Sequence, residues 1–487
     1  MIADHSRSMK LAGDASALGL SALEQHLDKR HVVLSIDPEY PAALFSGKIL
    51  MTTLRRGPGA LTLMSETLSS SYIEEVEAAC HAIDPDRPIT VRGSQPGEAA
   101  DAVRLHVGPS ARAIRVVPDG YGAHLLSDPT VTVTPSQTPN VVGATFAAAL
   151  AATEAFKYNA EVREERRIIH QRLSFCPFAL SSDMSLSVPL PSSMVLDATL
   201  VGAGAIGTAI VLLIGLLPAT GQMTVVDRQA FAIENVSTYS LGTREDAQRG
   251  VWKVDLAAQV LTHFDVRTVT DPVEELPTLI ETGAVPWSPL VLSALDSPDG
   301  RRAAQRLWPD HLIDAQTGDS MVGFCEYHHG VDPCLICNFP VDVTAPSGAS
   351  ALAERLGLPP ELFGAPGAVL SEAHLEGMAD DARERLRPFV GRPMCALMDG
   401  SVSDLDATDF QPSAPFVALQ AACLSVARLV ASFTKYDSHY NFAQYDTLIG
   451  PDRATIESMR PIRNCICQNR KATIEQVRRV FRDRSRS

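Results

Sequence analysis

Short apolar runs alternate with amphipathic stretches along most of the chain, which is the pattern of an α/β protein. In the first 190 residues, three mostly apolar runs of five or six residues predict buried strands, at 31–36, 60–64 and 113–117. Between the second and third of these, apolar residues recur at helical spacing over residues 71–83, which predicts an amphipathic helix. This alternation favours sheets that are mostly parallel and are packed against helices.

The most informative pattern lies at residues 195–227. An apolar run ends in Gly202-x-Gly204-x-x-Gly207, small and aliphatic residues follow, and a second apolar run ends in Asp227. The order predicts a strand, a glycine turn, a buried helix and a second strand that ends in an acid. Such a turn lets phosphates approach the N–H groups of the helix, and a carboxylate at the position of Asp227 can bind a ribose hydroxyl. A nucleotide site is therefore predicted, and NAD, FAD and ATP all remain open at this point.

Length and composition narrow the class of protein. A chain of 487 residues is too long for one ordinary core, so two or three domains are expected. Its 45% hydrophobic and 20% charged residues are typical of soluble globular proteins, and glycines interrupt the longest apolar run before it reaches membrane-spanning length. The net charge of −15 disfavours nucleic acid and leaves room for a basic protein partner. We expect a cytoplasmic protein that binds neither membrane nor nucleic acid.

Two Ala-rich segments, at 140–158 and 413–430, resemble each other in their small residues and in a proline near the start. They could be equivalent helices of two related half-domains, although two unrelated buried helices would also look alike. We interpret residues 1–180 as an α/β domain that is related to the second half but lacks a phosphate loop. The charged segment 161–172 predicts a solvated helix between the halves.

Polar residues follow the glycine turn where a bound nucleotide would meet them. Asn235 stands eight residues beyond Asp227, and Lys253 begins a predicted helix, where an ammonium group can neutralise phosphate charge. The next predicted strand, at 289–295, ends in Asp296, and ligands of doubly wound sheets bind at such strand ends. A carboxylate beside a triphosphate implies Mg²⁺. A solvated Lys253 and a helix-capping Asp296 remain the alternatives.

Taken together, these residues resemble the ubiquitin-activating (ThiF/MoeB-like) adenylation superfamily. The resemblance covers roughly residues 190–467 and rests on Gly202-Ala203-Gly204-Ala205-Ile206-Gly207, Asp227, Asn235, Lys253, Asp296 and Arg301. It implies a Rossmann-like ATP-binding adenylation domain at 181–467, preceded by an inactive adenylation-like domain at 1–180. It also implies that Asp227 holds the ribose of ATP, that Asn235 and Lys253 hold the phosphates, and that Asp296 holds Mg²⁺. Arg301 is included in the ATP site by its place in the same pattern.

The chain departs from the family at Thr238, where the family has an arginine that contacts the phosphates. Arg228, Arg244 or Arg249 could substitute for it. The same departure favours a competing hypothesis, in which the chain is a non-catalytic nucleotide-binding scaffold.

Nine cysteines, an odd number with close pairs among them, predict a reducing compartment with metal-binding or catalytic thiols. Cys334 and Cys337 form one pair, and Cys465 and Cys467 form a distant second pair. Four thiolates suit a structural Zn²⁺ that ties the C-terminus to the core, and the superfamily has cysteine pairs at both places. A redox dithiol is the alternative. Four others, Cys80, Cys176, Cys325 and Cys423, are expected to be core residues.

Residues 341–412 are predicted to form a small helical insertion and a crossover loop. Cys395 lies in this loop after Arg392, whose charge favours the thiolate form. In the superfamily, the thioester-forming cysteine lies in such a loop, so the resemblance assigns Cys395 as the nucleophile. Residues 468–487 form a basic tail that is expected to be solvated, with docking of a partner as the alternative.

The resemblance thus implies a bacterial-type activator of a ubiquitin-like protein with a C-terminal glycine. ATP would adenylate that glycine, Cys395 would take it as a thioester, and a conjugating enzyme would receive it. The first alternative is a sulfur-carrier-type adenylyltransferase, in which Cys395 forms no thioester. An NAD dehydrogenase would leave the cysteines and Asp296 unexplained. A homodimer is left open.

Overall fold

The computed structural model divides the chain into two compact units, Met1–Phe339 with Pro412–Ser487 and Pro340–Gln411. The residues that the structure describes are 6–18, 20–93, 102–110, 114–340, 353, 356–359, 361–364, 368–391, 414–436 and 439–485. No helix within these described ranges is long and apolar enough to cross a membrane.

The first half of the larger unit contains a seven-stranded sheet in the order β3-β2-β1-β4-β5-β6-β7. The first five strands in this order pair in parallel, and the last two are antiparallel to their neighbours. The strand bounds are β1 His31–Ile36, β2 Ala60–Met64, β3 Thr90–Arg92, β4 Val103–Val107, β5 Ile114–Asp119, β6 Gly122–Leu126 and β7 Arg172–Phe175.

The second half contains an eight-stranded sheet in the order β10-β9-β8-β11-β12-β13-β14-β15. Here too five parallel strands come first, and antiparallel strands complete the sheet. The bounds are β8 Met194–Val201, β9 Ala219–Val226, β10 Phe264–Val269, β11 Leu290–Ser293, β12 His311–Gly318, β13 Met321–His328, β14 Phe442–Asp446 and β15 Thr455–Glu457. The protein is therefore an α/β protein with two Rossmann-like, mostly parallel sheets.

Helices fill the connections between the strands of the larger unit. The α-helices are Ser6–Ala15, Leu20–Asp28, Ala43–Arg55, Ser70–Ile83, Val141–Asn159, Ala205–Leu216, Arg244–Arg249, Lys253–Val260, Leu276–Glu281, Pro298–Gln305, Leu335–Asn338, Pro415–Ala431, Ile466–Asn469 and Lys471–Ser485. Single 3₁₀ turns lie at Glu164–Arg166, Met184–Leu186, Ile233–Asn235, Val273–Glu275 and Pro451–Arg453.

The two Ala-rich segments form long buried helices, Val141–Asn159 and Pro415–Ala431. Each lies between the sixth and seventh strands of its own half. The seven strands of the first sheet have the same order and directions as the first seven of the second sheet, to which β15 is added. The helices also contact each other: the Nε2 atom of Gln420 donates to the Oγ1 atom of Thr153 at 2.9 Å. Small side chains allow this close helix packing, which joins the two sheets into one core.

The strands predicted at 31–36, 60–64 and 113–117 and the helix predicted at 71–83 are confirmed, with ends that differ by at most two residues. The helix predicted over 161–172 is wrong. Its one helical turn is the 3₁₀ turn Glu164–Arg166, and it ends at the first residue of β7. The backbone between them bonds to the second half, where Ile168 N–H donates to Leu448 O at 3.1 Å.

The basic C-terminal segment forms the helix Lys471–Ser485, and its inner face is buried on the second half. Ile474 and Phe481 lie in the same apolar cluster as the four paired cysteines. The expectation of a solvated tail is therefore wrong for this helix, because its apolar face is covered by the chain itself. Arg478 adds polar anchors by donating to Trp308 O at 2.7 Å and to Pro309 O at 2.9 Å.

The smaller unit contains short helical turns at Glu361–Gly364, Glu372–Leu375, Asp380–Leu386 and Arg387–Phe389. Its described apolar residues form a core of their own: Ala353, Leu356, Leu358, Leu370, Leu375, Leu386 and Phe389. Cys395, the predicted nucleophile, lies outside the described residues.

Candidate functional site

The glycine turn connects β8 to the helix Ala205–Leu216, as predicted. Gly202 has φ +90°, and a Cβ there would lie 2.7 Å from the carbonyl oxygen of Ala294. A Cβ on Gly207 would lie 2.0 Å from the carbonyl oxygen of Gly202. A side chain at either position would clash with backbone, so these glycines let the turn pass close to β11 and the helix pass close to the turn.

Asp227 lies at the end of β9 and holds the glycine turn in place. Its Oδ2 atom accepts a hydrogen bond from the N–H of Ala203 at 2.8 Å, and its Oδ1 atom accepts from the N–H of Gln229 at 2.9 Å. The acid that the spacing assigned to a ribose thus also fixes the backbone of the turn. It lies half-buried beside the turn, where a nucleotide ribose would be expected.

Asn235 and Thr238 present buried polar atoms without partners. Asn235 is 1% exposed; its Oδ1 atom accepts from the N–H of Ala232 at 3.0 Å, but its Nδ2 atom has no partner among the described residues. The Oγ1 atom of Thr238, which is fully buried, lacks a partner among the same residues. An unpaired buried donor costs roughly 1–3 kcal/mol, so these atoms point to an acceptor from outside the described residues.

Lys253 is buried and held in one position, which rules out the solvated alternative. It is 3% exposed, its Nζ atom donates to the Oε1 atom of Gln229 at 2.6 Å, and it lies 5.1 Å from the centroid of the Tyr239 ring. Backbone pairing explains the position, because Lys253 N–H donates to Gln229 O beside a bridge between Ala230 and Trp252.

These contacts join the predicted residues into one continuous group around the turn. Asp227 binds Gln229, and Gln229 binds Lys253. Lys253 lies over Tyr239, whose hydroxyl is 3.6 Å from the position of a Cβ on Gly204. Sequence reasoning missed Gln229 and Tyr239, because nothing in their local pattern marks them as site residues.

Asp296 and Arg301 flank the same edge of the sheet but differ in their surroundings. Asp296 is exposed, three residues beyond the end of β11. The Nε atom of Arg301 donates to Leu295 O at 2.9 Å and lies 3.6 Å from the Oδ2 atom of Asp314. Ser297, not Asp296, caps the helix Pro298–Gln305, because its side chain accepts from the N–H of Gly300.

Asp314 is a fully buried acid that the sequence analysis did not single out. It accepts hydrogen bonds from the Oγ atom of Ser293 at 2.6 Å and from the Nε2 atom of Gln316 at 2.9 Å. Burial raises the pKa of Asp314, and the nearby Arg301 acts in the opposite direction. Arg301 therefore has the Asp314 carboxyl group as an internal neighbour, and contact with a nucleotide phosphate would compete with it.

The arginines proposed to replace the one missing at Thr238 are surface groups. Arg228 is exposed, Arg249 lies 3.7 Å from Glu245 on the surface, and Arg244 donates to the Oδ2 atom of Asp86 at 2.6 Å. None of these contacts involves the glycine turn.

Arg56, from the first half, reaches the loop that contains Thr238. It is 4% exposed and donates to three carbonyl oxygens, those of Val236 at 2.6 Å, Ser240 at 3.2 Å and Gly242 at 3.4 Å. Burial lowers the pKa of Arg56 to about 10. The first half therefore fixes the loop of the second half, through a residue about 180 positions away in sequence.

In the described part of the first half, an acid follows β1 at the position where the glycine turn follows β8. There the carboxylate of Asp37 accepts from the N–H of Ser110 at 2.9 Å and from its hydroxyl at 2.8 Å. A Cβ on Gly108 would lie 2.4 Å from the Oδ2 atom of Asp37. A carboxylate packed into this position repels a phosphate, which agrees with the absence of a phosphate loop from residues 1–180.

The four paired cysteines meet in one buried cluster. The Sγ–Sγ distances are 3.9 Å from Cys334 to Cys337, 3.5 Å from Cys334 to Cys465 and 3.6 Å from Cys337 to Cys467. Four Zn–S bonds of about 2.3 Å in a tetrahedron place the sulfurs ~3.8 Å apart, so the spacing suits zinc. The distant pairs therefore form one possible metal site that is compatible with zinc, as predicted.

Hydrogen bonding already favours one thiolate in the cluster. The Cys334 thiol donates to the Cys337 sulfur, and this hydrogen bond lowers the pKa of Cys337 and raises the pKa of Cys334. The N–H of Ile462 also donates to the Cys337 sulfur, at 3.4 Å. A backbone donor to a ligand sulfur is typical of structural zinc sites.

The four cysteines assigned to the core are buried, as expected. Burial raises the pKa of each, to about 12 for Cys80 and Cys325, to about 11 for Cys176, and further for Cys423. Neutral thiols of this kind are poor nucleophiles.

Comparisons with known proteins identify no family. No protein-family model matches the chain. No curated protein matches it either.

Proposed function

We propose that the protein activates a carboxylate with ATP, by adenylating the C-terminal glycine of a ubiquitin-like protein. The observation that carries the proposal is the continuous group around the glycine turn. In it, a buried Asn235 amide, whose Nδ2 atom has no acceptor among the described residues, and a hydrogen-bonded Lys253 flank a turn that only glycine permits. Two buried donors beside a helix N-terminus suit the oxygens of a polyphosphate.

ATP fits this group better than NAD does. A dinucleotide site needs the glycine turn and an acid at the ribose, both of which the chain has. It does not need a buried lysine and an unpaired amide in the loop after the acid, which here are Lys253 and Asn235. In the proposed complex Asp227 holds the ribose, and Asn235 and Lys253 hold the phosphates.

Asp296 is the residue proposed to hold Mg²⁺. It is exposed and lies at the end of the strand next to β8, so its carboxylate is accessible to a hydrated cation. When bound, Mg²⁺ neutralises charge on the phosphates. Arg301 is less available to the phosphates than Lys253 is, because its guanidinium already lies beside Asp314 and donates to Leu295 O.

The proposed reaction has two steps. A carboxylate oxygen of the partner's terminal glycine attacks the α-phosphorus, the bond from phosphorus to the bridging oxygen breaks, and pyrophosphate leaves. The thiolate of Cys395 then attacks the acyl carbon and AMP leaves, which gives a thioester for transfer to a conjugating enzyme. A sulfur-carrier-type adenylyltransferase would complete the first step only.

The non-catalytic scaffold remains the second candidate, and two observations favour it. Thr238 stands where the superfamily has a phosphate-binding arginine. Of the arginines considered as substitutes, Arg249 lies beside Glu245 and Arg244 donates to Asp86. On this hypothesis the chain would bind ATP but would transfer no acyl group.

Pyrophosphate exchange separates these functions. The protein is incubated with ATP, Mg²⁺, labelled pyrophosphate and a candidate ubiquitin-like protein that ends in glycine. We expect label to enter ATP only when the partner is present, because reversal of adenylation needs the acyl-adenylate. ATP binding without exchange with any candidate would support the scaffold, and preferential binding of NAD would contradict both ATP functions.

A further inference from the structure

A second group of possible metal ligands lies at the opposite edge of the second sheet from the glycine turn. β12 runs parallel to β11 and β8, so its first residue, His311, lies at the amino edge of these strands. His311 is paired across the antiparallel ladder with His328, the last residue of β13. Glu326 precedes His328 by two residues and projects from the same face of the sheet. The strand pairing therefore brings two imidazoles and one carboxylate together.

The three side chains share one carboxylate oxygen. The Oε1 atom of Glu326 lies 2.8 Å from the Nε2 atom of His311 and 3.9 Å from the Nε2 atom of His328. The two imidazole rings are stacked with centroids 4.3 Å apart. All three ligand atoms lie within 4.8 Å of one another, so small ring rotations would let them converge on one ion.

The neighbours of the group leave its ligand atoms available. The Nδ1 atom of His328 lies 2.8 Å from the Oδ2 atom of Asp332, whose Oδ1 atom accepts from the Nδ2 atom of Asn441 at 2.9 Å. This carboxylate favours the tautomer in which the proton is on Nδ1. In that tautomer Nε2 has a free lone pair, which can bind a metal ion. Arg428 binds the other oxygen of Glu326, Oε2, with its Nε atom at 2.8 Å.

Burial differs across the group in a way that suits an open coordination site. The Glu326 side chain is 3% exposed and that of His311 is 12% exposed, whereas that of His328 is 46% exposed. The rigid, buried side is formed by Glu326 and Arg428, and the exposed side can admit an ion with its remaining water ligand. Three protein ligands and one open position are typical of sites for zinc-class ions.

We propose that His311, Glu326 and His328 bind a zinc-class divalent ion, separately from the four-cysteine site. Imidazole and carboxylate ligands suit Zn²⁺ and Co²⁺, whereas the cysteine cluster offers only thiolates. The two sites therefore differ in ligand chemistry, and a spectroscopic probe can tell them apart.

Co²⁺ titration of the full-length protein after chelator treatment tests the proposal. Thiolate ligands give intense near-ultraviolet charge-transfer bands, which a site of two histidines and a glutamate lacks. We expect two bound Co²⁺ per chain, of which His328→Ala loses the one without thiolate bands. His263→Ala, at an exposed histidine outside the group, is the matched control and should keep both ions bound.

Asp332→Asn tests the role of the neighbouring carboxylate. Loss of such a partner usually weakens metal binding ~10–100-fold, so the second Co²⁺ should dissociate at correspondingly lower concentrations of competing chelator. The proposal is overturned if the native protein binds only the thiolate-coordinated ion, or if His328→Ala binds as many ions as the native protein. It is also overturned if His328→Ala loses both ions together.

Discussion

Asn235, Lys253 and Arg56 show how single residues are fixed around the glycine turn. Asn235 keeps a buried donor without an acceptor in the described chain, and Lys253 is held by Gln229 and Tyr239. A buried donor without an acceptor lowers the stability of the free protein, and a ligand that supplies the acceptor removes this cost. Asn235 is therefore a candidate for ligand contact because its donor has no described acceptor, and Lys253 is one because it is held beside the turn.

Lys253→Ala should weaken binding of MgATP by about 10–100-fold, because a charge-assisted contact to phosphate contributes roughly 1.5–3 kcal/mol. Isothermal titration calorimetry measures the change. Lys435→Ala, at an exposed lysine, is the matched control and should bind as the native protein does. Equal affinity of the two variants would remove Lys253 from the site.

Arg56→Ala should lower the free energy of unfolding by about 2–4 kcal/mol, because three buried carbonyl oxygens lose their donor. Urea denaturation measures this loss. Arg249→Ala, at a surface ion pair, should change it by less than ~0.5 kcal/mol. If both variants were equally stable, Arg56 would not hold the loop that contains Thr238.

At the scale of elements, the two Ala-rich helices and the C-terminal helix determine how the sheets are covered. The helix Val141–Asn159 is buried almost throughout its length, and Pro415–Ala431 is buried throughout. Their resemblance in sequence is matched by equivalent places in two sheets of the same strand order. The C-terminal helix Lys471–Ser485 follows the second cysteine pair directly, so a metal there would fix the start of this helix.

Cys465→Ser should abolish stoichiometric zinc at the cysteine cluster and lower the thermal midpoint of unfolding. The physical reason is that the metal links the second cysteine pair to the first, 131 residues away. Metal analysis of the purified protein and thermal denaturation check both effects. Cys423→Ala, at a buried cysteine outside the cluster, is the control and should bind as much zinc as the native protein. A native protein without zinc would contradict the metal assignment.

At the scale of the whole molecule, the first half supports the loops beside the glycine turn of the second half. Arg56 binds the loop around Thr238, and Ile83 packs in one cluster with Phe231 and Tyr239. The same strand order in both halves is consistent with a duplicated domain, of which one copy supports the other. The insertion that carries Cys395 is a separate compact unit, so its chemistry is best tested in the complete chain.

If the proposed thioester step occurs, incubation of the complete protein with ATP, Mg²⁺ and a candidate ubiquitin-like protein should give a covalent adduct that thiol reductants cleave. Cys395→Ala should lose this adduct but retain pyrophosphate exchange, because adenylation precedes transfer to the thiol. Cys423→Ala is the control and should form the adduct normally, since its cysteine is buried. Exchange without any adduct would favour the sulfur-carrier alternative, and an adduct on Cys395→Ala would place the nucleophile elsewhere.

The sequence by itself determined the strand, glycine turn and helix at Gly202, the flanking acid Asp227, and the two cysteine pairs. These features depend on backbone freedom, apolar periodicity and side-chain chemistry, all of which act over a few neighbouring residues. For the same reason the predicted strands β1 and β2 have the observed bounds.

Only the tertiary structure decided which partners the buried polar groups have. Arg56 meets the loop of the other half, Arg301 meets Asp314, and His311 meets Glu326 through strand pairing. Each contact joins positions that no local pattern relates, because a buried charge binds whatever the packing of distant elements brings beside it. The C-terminal helix was mistaken for a solvated tail on the same grounds: its apolar face is short, and the surface that covers it forms only in the folded chain.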